Sequence, residues 1–221
     1  MKLIVGTDFH GNKDSFEVFV SKAEEEDVDV LIVCGDITNF GTLERAKNLL
    51  SLLTQLRLPV LFVPGNCDPP SLVVVDVEGA LCLHGKSATY GDINFIGLGG
   101  SPNTPFGTPF EMSEEGIGEA LNCAVKNVTD ARWFVLLSHA PPYNTKLDKT
   151  FSGFHAGSLS IRNFIEERKP SIVFCGHIHE AKGKDRIGRT ILVNPGPARH
   201  GYYALASFNE HVTVEFRSAS F

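Results

Sequence analysis

The sequence predicts an α/β fold (an α+β sandwich) in which two packed β-sheets are flanked by helices, and three observations predict it. Short segments rich in Val, Ile and Leu alternate with amphipathic helical segments in the first part of the chain. This alternation repeats at roughly 30 residues, the length of a strand–helix–strand unit. The chain then ends in strands without intervening helices, which together with the first part indicates two packed sheets.

The first part of the chain is predicted to form three buried parallel strands, at 2–7, 29–34 and 59–63. The helix between the first two is predicted to begin at Asp14, because Glu17 three residues later completes a capping-box pattern. An apolar stripe predicts another helix before the third strand; it consists of Ala46, Leu49, Leu50, Leu53 and Leu56.

The rest of the chain is less regular. Segments 72–77, 80–84 and 93–98 are predicted strands, the last two joined through a turn at 90–92. Segment 99–112 holds three Pro and three Gly without periodicity, and a loop of this length is predicted to be a lid. Ser113 is predicted to cap the next helix, and another helix is predicted from about 158 to 168. Two final strands, 202–208 and 211–217, are predicted to form a hairpin at 209–210.

Composition limits the setting of the protein. The formal net charge of −6 gives no overall positive field that would attract nucleic acid or an anionic membrane. The N-terminus reaches Asp8 too soon to hold a signal-peptide hydrophobic region, and no segment approaches the roughly 20 apolar residues of a membrane span. Five cysteines, mostly inside apolar runs, indicate reduced thiols. We therefore expect a cytoplasmic protein in which residues 1–221 form a single domain.

Seven residues of the types that bind metal ions follow five predicted strands. Two of these strands, 134–137 and 172–174, lie in the second half of the chain. Ligands of a parallel α/β sheet bind beyond the carboxyl ends of its strands, so these side chains are predicted to meet at one place. They are Asp8, His10, Asp36, Asn66, His139, His177 and His179.

The composition of this set predicts two divalent ions rather than one. Seven ligands are too many for a single ion, whereas two ions roughly 3.5–4 Å apart that share a bridging carboxylate would use them all. Carboxylates mixed with imidazoles suit Mn²⁺, Fe or Zn²⁺ better than Ca²⁺ or Mg²⁺ alone. Mn²⁺ is the ion that we expect, with Fe, Zn, Ni or Co as alternatives.

Five motifs in this order resemble those of the calcineurin-like metallophosphoesterases, from residue 1 to about 196. The resemblance implies that family's four-layer fold, in which two packed mixed β-sheets are flanked by helices. It also extends to the turn Asn194-Pro195-Gly196. The motifs are Asp8-Phe9-His10, Gly35-Asp36, Gly65-Asn66-Cys67-Asp68, Ser138-His139 and Gly176-His177-Ile178-His179.

The resemblance also implies roles for the seven residues. One metal would be bound by Asp8, His10 and His179, the other by Asn66, His139 and His177, and Asp36 would bridge both. The implied activity is hydrolysis of a phosphoester by a metal-bridging hydroxide, with Asp36, Asn66 and His139 as catalytic residues. No amino-acid nucleophile is needed.

Cys67 departs from the family's commonest pattern. The family usually has a His at this position, which is taken as the general acid for the leaving oxygen. The Gly-Asn-Cys-Asp form resembles that of a subgroup of small bacterial and archaeal phosphodiesterases. Cys67 is therefore a candidate substrate-binding residue whose part in catalysis the sequence leaves open.

Five further residues are candidates for substrate binding, each with a structural alternative. His155 and Ser158 lie at a predicted helix start, where the helix could bind phosphate or Ser158 could simply cap the helix. Arg162 could reach a phosphate, although a structural salt bridge is the interpretation that we favour. Arg199 and His200 follow the Asn-Pro-Gly turn, close to the predicted site.

Three functions are consistent with the sequence. The leading hypothesis is a metal-dependent phosphoesterase acting on a small phosphoester, with a phosphodiesterase favoured over a monoesterase. A protein-interaction scaffold resembling the small subunit of retromer is the second, and the complete ligand set disfavours it. A nuclease of the same family is the third, but the chain has no basic tract, so nucleic acid is not an expected partner. A homo-oligomer is compatible with the sequence.

Overall fold

The computed structural model describes residues 1–220, which contain fourteen strands and four α-helices. The helices are α1 (Lys13–Glu25), α2 (Leu43–Leu53), α3 (Glu114–Ala124) and α4 (Leu159–Arg168). The strands are β1 (Lys2–Gly6), β2 (Val30–Cys34), β3 (Val60–Val63), β4 (Ala80–Cys82), β5 (Ser87–Tyr90), β6 (Ile93–Leu98), β7 (Ser101–Pro102), β8 (Glu111–Met112), β9 (Trp133–Ser138), β10 (Ile172–Phe174), β11 (Gly183–Ile187), β12 (Thr190–Asn194), β13 (Tyr202–Phe208) and β14 (Val212–Ser218).

Two mixed six-stranded sheets form the centre of the structure. The first has the order β14-β13-β1-β2-β3-β4, in which β1 to β4 are parallel and β13 and β14 are antiparallel to their neighbours. The second has the order β11-β12-β10-β9-β6-β5, with a parallel centre and an antiparallel strand at each edge. The predicted pair of packed sheets and the parallel arrangement of the first three strands are confirmed.

Three apolar clusters hold the layers together. Residues from both sheets, such as Val5, Ile32 and Phe174, form the core between them. Helices α1 and α2 pack on the outer face of the first sheet, and α3 and α4 pack on the outer face of the second. The resulting order of layers is helix, sheet, sheet, helix. Among the helices of residues 1–220, none has the length and apolar character that crossing a bilayer requires.

Several local predictions are wrong. Helix α1 is capped by Asn12, whose side chain accepts a hydrogen bond from the Ser15 amide, so Asp14 lies inside the first turn. Segment 72–77 is not a strand, because the chain forms a 3₁₀ helix over Pro70–Val74. Proline at its start favours this helical turn, and only one of its five residues, Leu72, is buried.

The hairpin before β6 also differs from the prediction. The turn at residues 91–92 connects β6 to β5 in the second sheet, whereas β4 pairs with β3 in the first sheet. Strand β5, which the sequence did not predict, has no fully buried residue, and its polar Ser87 and Thr89 alternate with Ala88 and Tyr90. It therefore lacks the apolar run that identifies the central strands.

Candidate metal centre

The carboxyl ends of five strands, β1, β2, β3, β9 and β10, bring the predicted ligands together. In the first sheet, Asp8, Asp36 and Asn66 follow within three residues of a strand end. His139 directly follows β9, and His177 lies three residues beyond β10, in the second sheet. The centre therefore lies at the carboxyl ends of strands from both packed sheets, as expected for parallel strands that end on the same side.

A first cluster consists of Asp8, His10 and His179. The Nε2 atoms of the two imidazoles are 3.0 Å apart, and Nε2 of His179 is 3.3 Å from Oδ1 of Asp8. Two nitrogens bound to one ion at roughly 2.0–2.1 Å would lie roughly 3.0–3.4 Å apart. The spacing therefore fits one ion held by these three side chains.

A second cluster is formed by Asn66, His139 and His177 around the amide oxygen Oδ1 of Asn66. Nε2 of His139 is 2.9 Å from this oxygen and Nδ1 of His177 is 2.8 Å from it. The other nitrogen of His139, Nδ1, is 2.8 Å from the backbone oxygen of Cys34 and can donate a hydrogen bond to it. In the neutral ring, Nε2 then carries a lone pair and faces an oxygen that also accepts. A cation satisfies two acceptors that face each other in this way.

Asp36 lies between the two clusters. Its Oδ2 atom is 3.4 Å from Nε2 of His10, and its Oδ1 atom is 3.4 Å from Nε2 of His139. The side chain is buried. One carboxylate oxygen is thus directed to each cluster, an arrangement in which Asp36 could bridge two ions.

The backbone is strained at several of these positions. Asp8, His10, Asp36 and His177 have positive φ angles of 57°, 48°, 51° and 69°. Non-glycine residues in this region cost about 1–3 kcal/mol each and occur most often at functional sites. The tight turns also bring backbone close to side chains, because a Cβ atom at Gly65 would collide with Asp36.

Asp68 holds the loops that carry Asp36 and Asn66, and we did not predict this role from the sequence. Its buried carboxylate accepts hydrogen bonds from the amides of Ile37 at 3.0 Å, Thr38 at 2.7 Å and Gly65 at 2.8 Å. The position of Asp68 two residues after Asn66, in a motif that contains the predicted ligand, is the sequence signal that could have identified it.

Burial sets the charge of the ligands. It lowers the pKa of His10 to about 4 and that of His177 to about 3, so both rings are neutral near pH 7 and have lone pairs available for metal. Burial, followed by the charges of Asp8 and Asp68, raises the pKa of Asp36 to about 6. Burial alone would raise the pKa of Asp8, but the hydrogen bond with His179 and nearby histidines hold it well below its usual range. A buried group of carboxylates beside neutral imidazoles fits divalent cations.

Two other candidates lie beside this centre. The Sγ atom of Cys67 lies within 4.8 Å of ligand atoms of His10 and Asp36, and burial, then the charge of Asp36, raises the pKa of its thiol well above the usual range. Nη2 of Arg199 is 3.2 Å from Nδ1 of His179. His200 is exposed at the end of the 3₁₀ turn Ala198–His200, which also contains Arg199.

The remaining three candidates make structural contacts. Ser158 caps α4 and donates a hydrogen bond to Glu114 at 2.8 Å. Arg162 pairs with Glu166 at 2.9 Å and also donates to the carbonyls of residues 143 and 144, as the favoured salt-bridge interpretation predicts. Nδ1 of His155 is 2.7 Å from the buried carboxylate of Asp148, which organises the loop before α4.

The segment predicted to be a lid is anchored next to the centre. Its strands β7 and β8 pair with each other, and the amide of Phe110 donates to the backbone oxygen of Asn66 at 3.0 Å. Glu111 accepts hydrogen bonds from Thr104 and Thr108 within the loop. Phe106, at the tip, is 83% exposed and therefore contributes nothing to the core.

Comparison with known proteins gives consistent results. The family model of the calcineurin-like phosphoesterases matches residues 1–181. An uncharacterized protein of Methanocaldococcus jannaschii is 41% identical over 209 residues, which are 92% of this chain and 91% of that protein. A probable cyclic nucleotide phosphodiesterase of Vesicomyosocius okutanii is 25% identical over 200 residues, 89% of this chain and 81% of that protein. A crystal structure from Thermus thermophilus has the same fold, with a TM-score of 0.77 at 19% identity over 98% of both chains.

Proposed function

Because the chain belongs to the calcineurin-like phosphoesterase family, we propose that it is a dinuclear metal-dependent phosphodiesterase. The observation that carries this proposal is the position of Asp36, whose two carboxylate oxygens each lie 3.4 Å from an imidazole nitrogen of a different ligand cluster. A carboxylate shared in this way is what a pair of closely spaced ions needs.

Each ion would have its own ligands. Asp8, His10 and His179 would hold one, Asn66, His139 and His177 the other, and Asp36 would bind both. When bound, divalent ions would activate water as the nucleophile and polarise the phosphoryl group. The mixture of oxygen and imidazole nitrogen donors favours Mn²⁺, with Fe, Zn, Ni and Co as alternatives.

The protein's own residues would hold the proposed metal ligands in position. Neutral His10 and His177 present lone pairs near pH 7, and Asp68 fixes the loops that carry Asp36 and Asn66. These contacts hold the proposed ligands in place before the cations bind, which would preorganise the site.

One observation supports a diester rather than a monoester as substrate, and a second bears on its leaving group. The relative from V. okutanii, named as a probable cyclic nucleotide phosphodiesterase, aligns over most of this chain. Cys67 also stands where a stronger proton donor would assist a poor leaving group, and a thiol is a weak hydrogen-bond donor. Diesters whose leaving groups need little protonation are the substrates that such a site would cleave well.

A substrate screen tests the proposal. Purified protein would be given Mn²⁺, Ni²⁺, Co²⁺ or Mg²⁺ in turn, together with aryl phosphodiesters, cyclic nucleotides and aryl phosphomonoesters. We expect hydrolysis of diesters to exceed that of monoesters and to be strongest with Mn²⁺. Protein that binds metal but hydrolyses no phosphoester would contradict an enzymatic role and favour the interaction scaffold. Faster hydrolysis of monoesters would contradict the diester preference.

A further inference from the structure

Arg199 is fixed beside the candidate metal centre by its backbone. It belongs to a short 3₁₀ turn, Ala198–His200, that follows the Asn-Pro-Gly turn. The amide of Ala198 donates to the backbone oxygen of Thr7 at 2.7 Å, and the amide of Arg199 donates to that of Asp8 at 3.3 Å. The turn is therefore attached to the same strand end that supplies Asp8 to the first cluster.

The guanidinium group of Arg199 has an edge whose donors lack suitable partners. Nε is buried and makes no hydrogen bond within residues 1–220, and Arg199 forms no ion pair with a carboxylate in this part of the chain. Within residues 1–220, the hydrogen-bond partner of Nη2 is Nδ1 of His179, at 3.2 Å. The Nε and Nη2 hydrogens of an arginine point in parallel, and this edge matches two oxygens of a carboxylate or phosphate.

The contact between Arg199 and His179 is a hydrogen bond only while Nδ1 of His179 can accept. Nε2 of the same ring faces the other two residues of the first cluster, 3.0 Å from Nε2 of His10 and 3.3 Å from Oδ1 of Asp8. If Nε2 binds a cation, the neutral ring carries its proton on Nδ1. Two donors, Nη2 and Nδ1, would then face each other.

Donors that are buried without an acceptor are costly, so this arrangement requires a further group. The second donor of the fork, Nε, lacks a partner already. An anion with at least two oxygens, placed beside the guanidinium edge so that one oxygen also accepts from Nδ1 of His179, would satisfy all three donors. It would also neutralise the arginine charge, which has no carboxylate partner in residues 1–220.

We propose that Arg199, together with Nδ1 of His179, forms an anion subsite that binds two non-bridging oxygens of the substrate's phosphoryl group. The inference rests on the proposed function, because the position of the proton on His179 follows from metal binding at Nε2. It assigns to Arg199 the orientation of the phosphoryl group next to the ions. Lysine cannot reproduce this contact, since its ammonium group lacks the planar fork.

The test measures binding rather than turnover. Arg199→Met and Arg199→Lys would be compared with the wild type and with Arg217→Met, a control at an exposed arginine on β14 that pairs with Glu215. Calorimetry would first give the stoichiometry and affinity of Mn²⁺ for each protein. Inorganic phosphate would then be titrated into each Mn²⁺-loaded protein.

We expect all four proteins to bind Mn²⁺ with affinities that agree within about threefold. Loss of a charge-assisted contact should weaken phosphate binding roughly tenfold or more in Arg199→Met, and less in Arg199→Lys, whereas Arg217→Met should match the wild type. The same loss should raise KM for an aryl phosphodiester more than it lowers kcat.

Each other outcome would overturn the inference. Unchanged phosphate affinity in Arg199→Met would rule out the anion subsite and would leave the proposed function intact. Weaker Mn²⁺ binding in Arg199→Met would make Arg199 a residue that positions His179 instead. A wild-type protein that binds Mn²⁺ but not phosphate would contradict the subsite alone, and one that binds no divalent ion would contradict both proposals.

Discussion

Replacement of Asp36 should impair both proposed metal sites at once, because its two carboxylate oxygens face different ligand clusters. Asp36→Asn keeps the shape of the side chain but removes its charge. We expect metal content to fall and phosphodiester hydrolysis to drop by roughly a hundredfold or more, since bound ions supply several kcal/mol of transition-state stabilisation. Metal analysis and initial rates would be compared with Asp130→Asn, an exposed control. An unchanged metal content in Asp36→Asn would contradict the bridging role.

Acid should weaken metal binding through the same residue. Burial raises the pKa of Asp36 to about 6 in the metal-free protein, so a proton occupies the carboxylate below that pH and must leave when a cation binds. Affinity for Mn²⁺ should therefore fall as the pH decreases through about 6. Protonation of His179 should add to the loss, because burial alone would lower its pKa but the hydrogen bond with Asp8 raises it. Calorimetric titrations between pH 5 and pH 8 would measure this dependence. An affinity that does not change across this interval would show that the metal displaces no proton from Asp36.

If Cys67 faces the leaving group, as we propose, it should decide which leaving groups are cleaved well. In the metal-free protein burial raises the pKa of its thiol, whereas nearby dications would lower that pKa and favour thiolate, which cannot donate a proton. The thiol is a weak proton donor and the thiolate is none, so Cys67 assists a poor leaving group in neither state. Cys67→His should therefore raise the rate for alkyl leaving groups selectively and steepen the loss of activity at high pH. Rates for aryl and alkyl diesters would be compared, with Cys123→His at an exposed cysteine as the control. Equal changes for both substrates would mean that position 67 faces away from the leaving group.

Among the elements of the fold, the loop between β7 and β8 is the one that should set substrate size. Its base is attached to the backbone of Asn66 through Phe110, while Phe106 at its tip is exposed. Deleting residues 104–108 should raise KM for bulky diesters and change the preference among them, with little effect on a small aryl phosphate. Steady-state kinetics would be compared with those of Phe216→Ser, a control at another exposed aromatic side chain. If KM for every substrate is unaffected, the loop is not a lid.

The elements that the sequence predicted well are those with buried apolar runs. Strands β1, β2, β3 and β6 consist of buried residues, with Lys2 the partial exception, so their composition alone identifies them. Edge elements lack this signal: β5 has no fully buried residue, and the first residues of the Val-rich segment at 72–77 belong to the 3₁₀ helix Pro70–Val74. The start of α1 was misplaced because Asn12 and Asp14 are both good capping residues, and only the fold decides between them.

The candidate site was predictable for a similar reason. Its ligands follow strand ends, and strand ends are fixed by the parallel sheets. The contacts of Asp68 and Arg199 were not predictable, because they join loops that are distant in sequence. Those of Asp148 are local, but they depend on the path of the irregular loop before α4.

At the scale of the whole molecule, each proposed metal site takes ligands from both sheets. Asp8 and His10 follow β1 in the first sheet, whereas His179 follows β10 in the second. In the other cluster, Asn66 belongs to the first sheet and His139 to the second. The site therefore forms only when the sheets are packed, so the core between them is also what positions the ligands.

A stoichiometric titration tests the dinuclear account most directly. Mn²⁺ would be added to metal-free protein at a protein concentration well above the dissociation constants, and hydrolysis of an aryl phosphodiester would be measured after each addition. If two ions bridged by Asp36 form the active centre, activity should increase until two equivalents per chain have been added and should then remain constant. A plateau at one equivalent, or no hydrolysis at any ratio of Mn²⁺ to protein, would contradict the account.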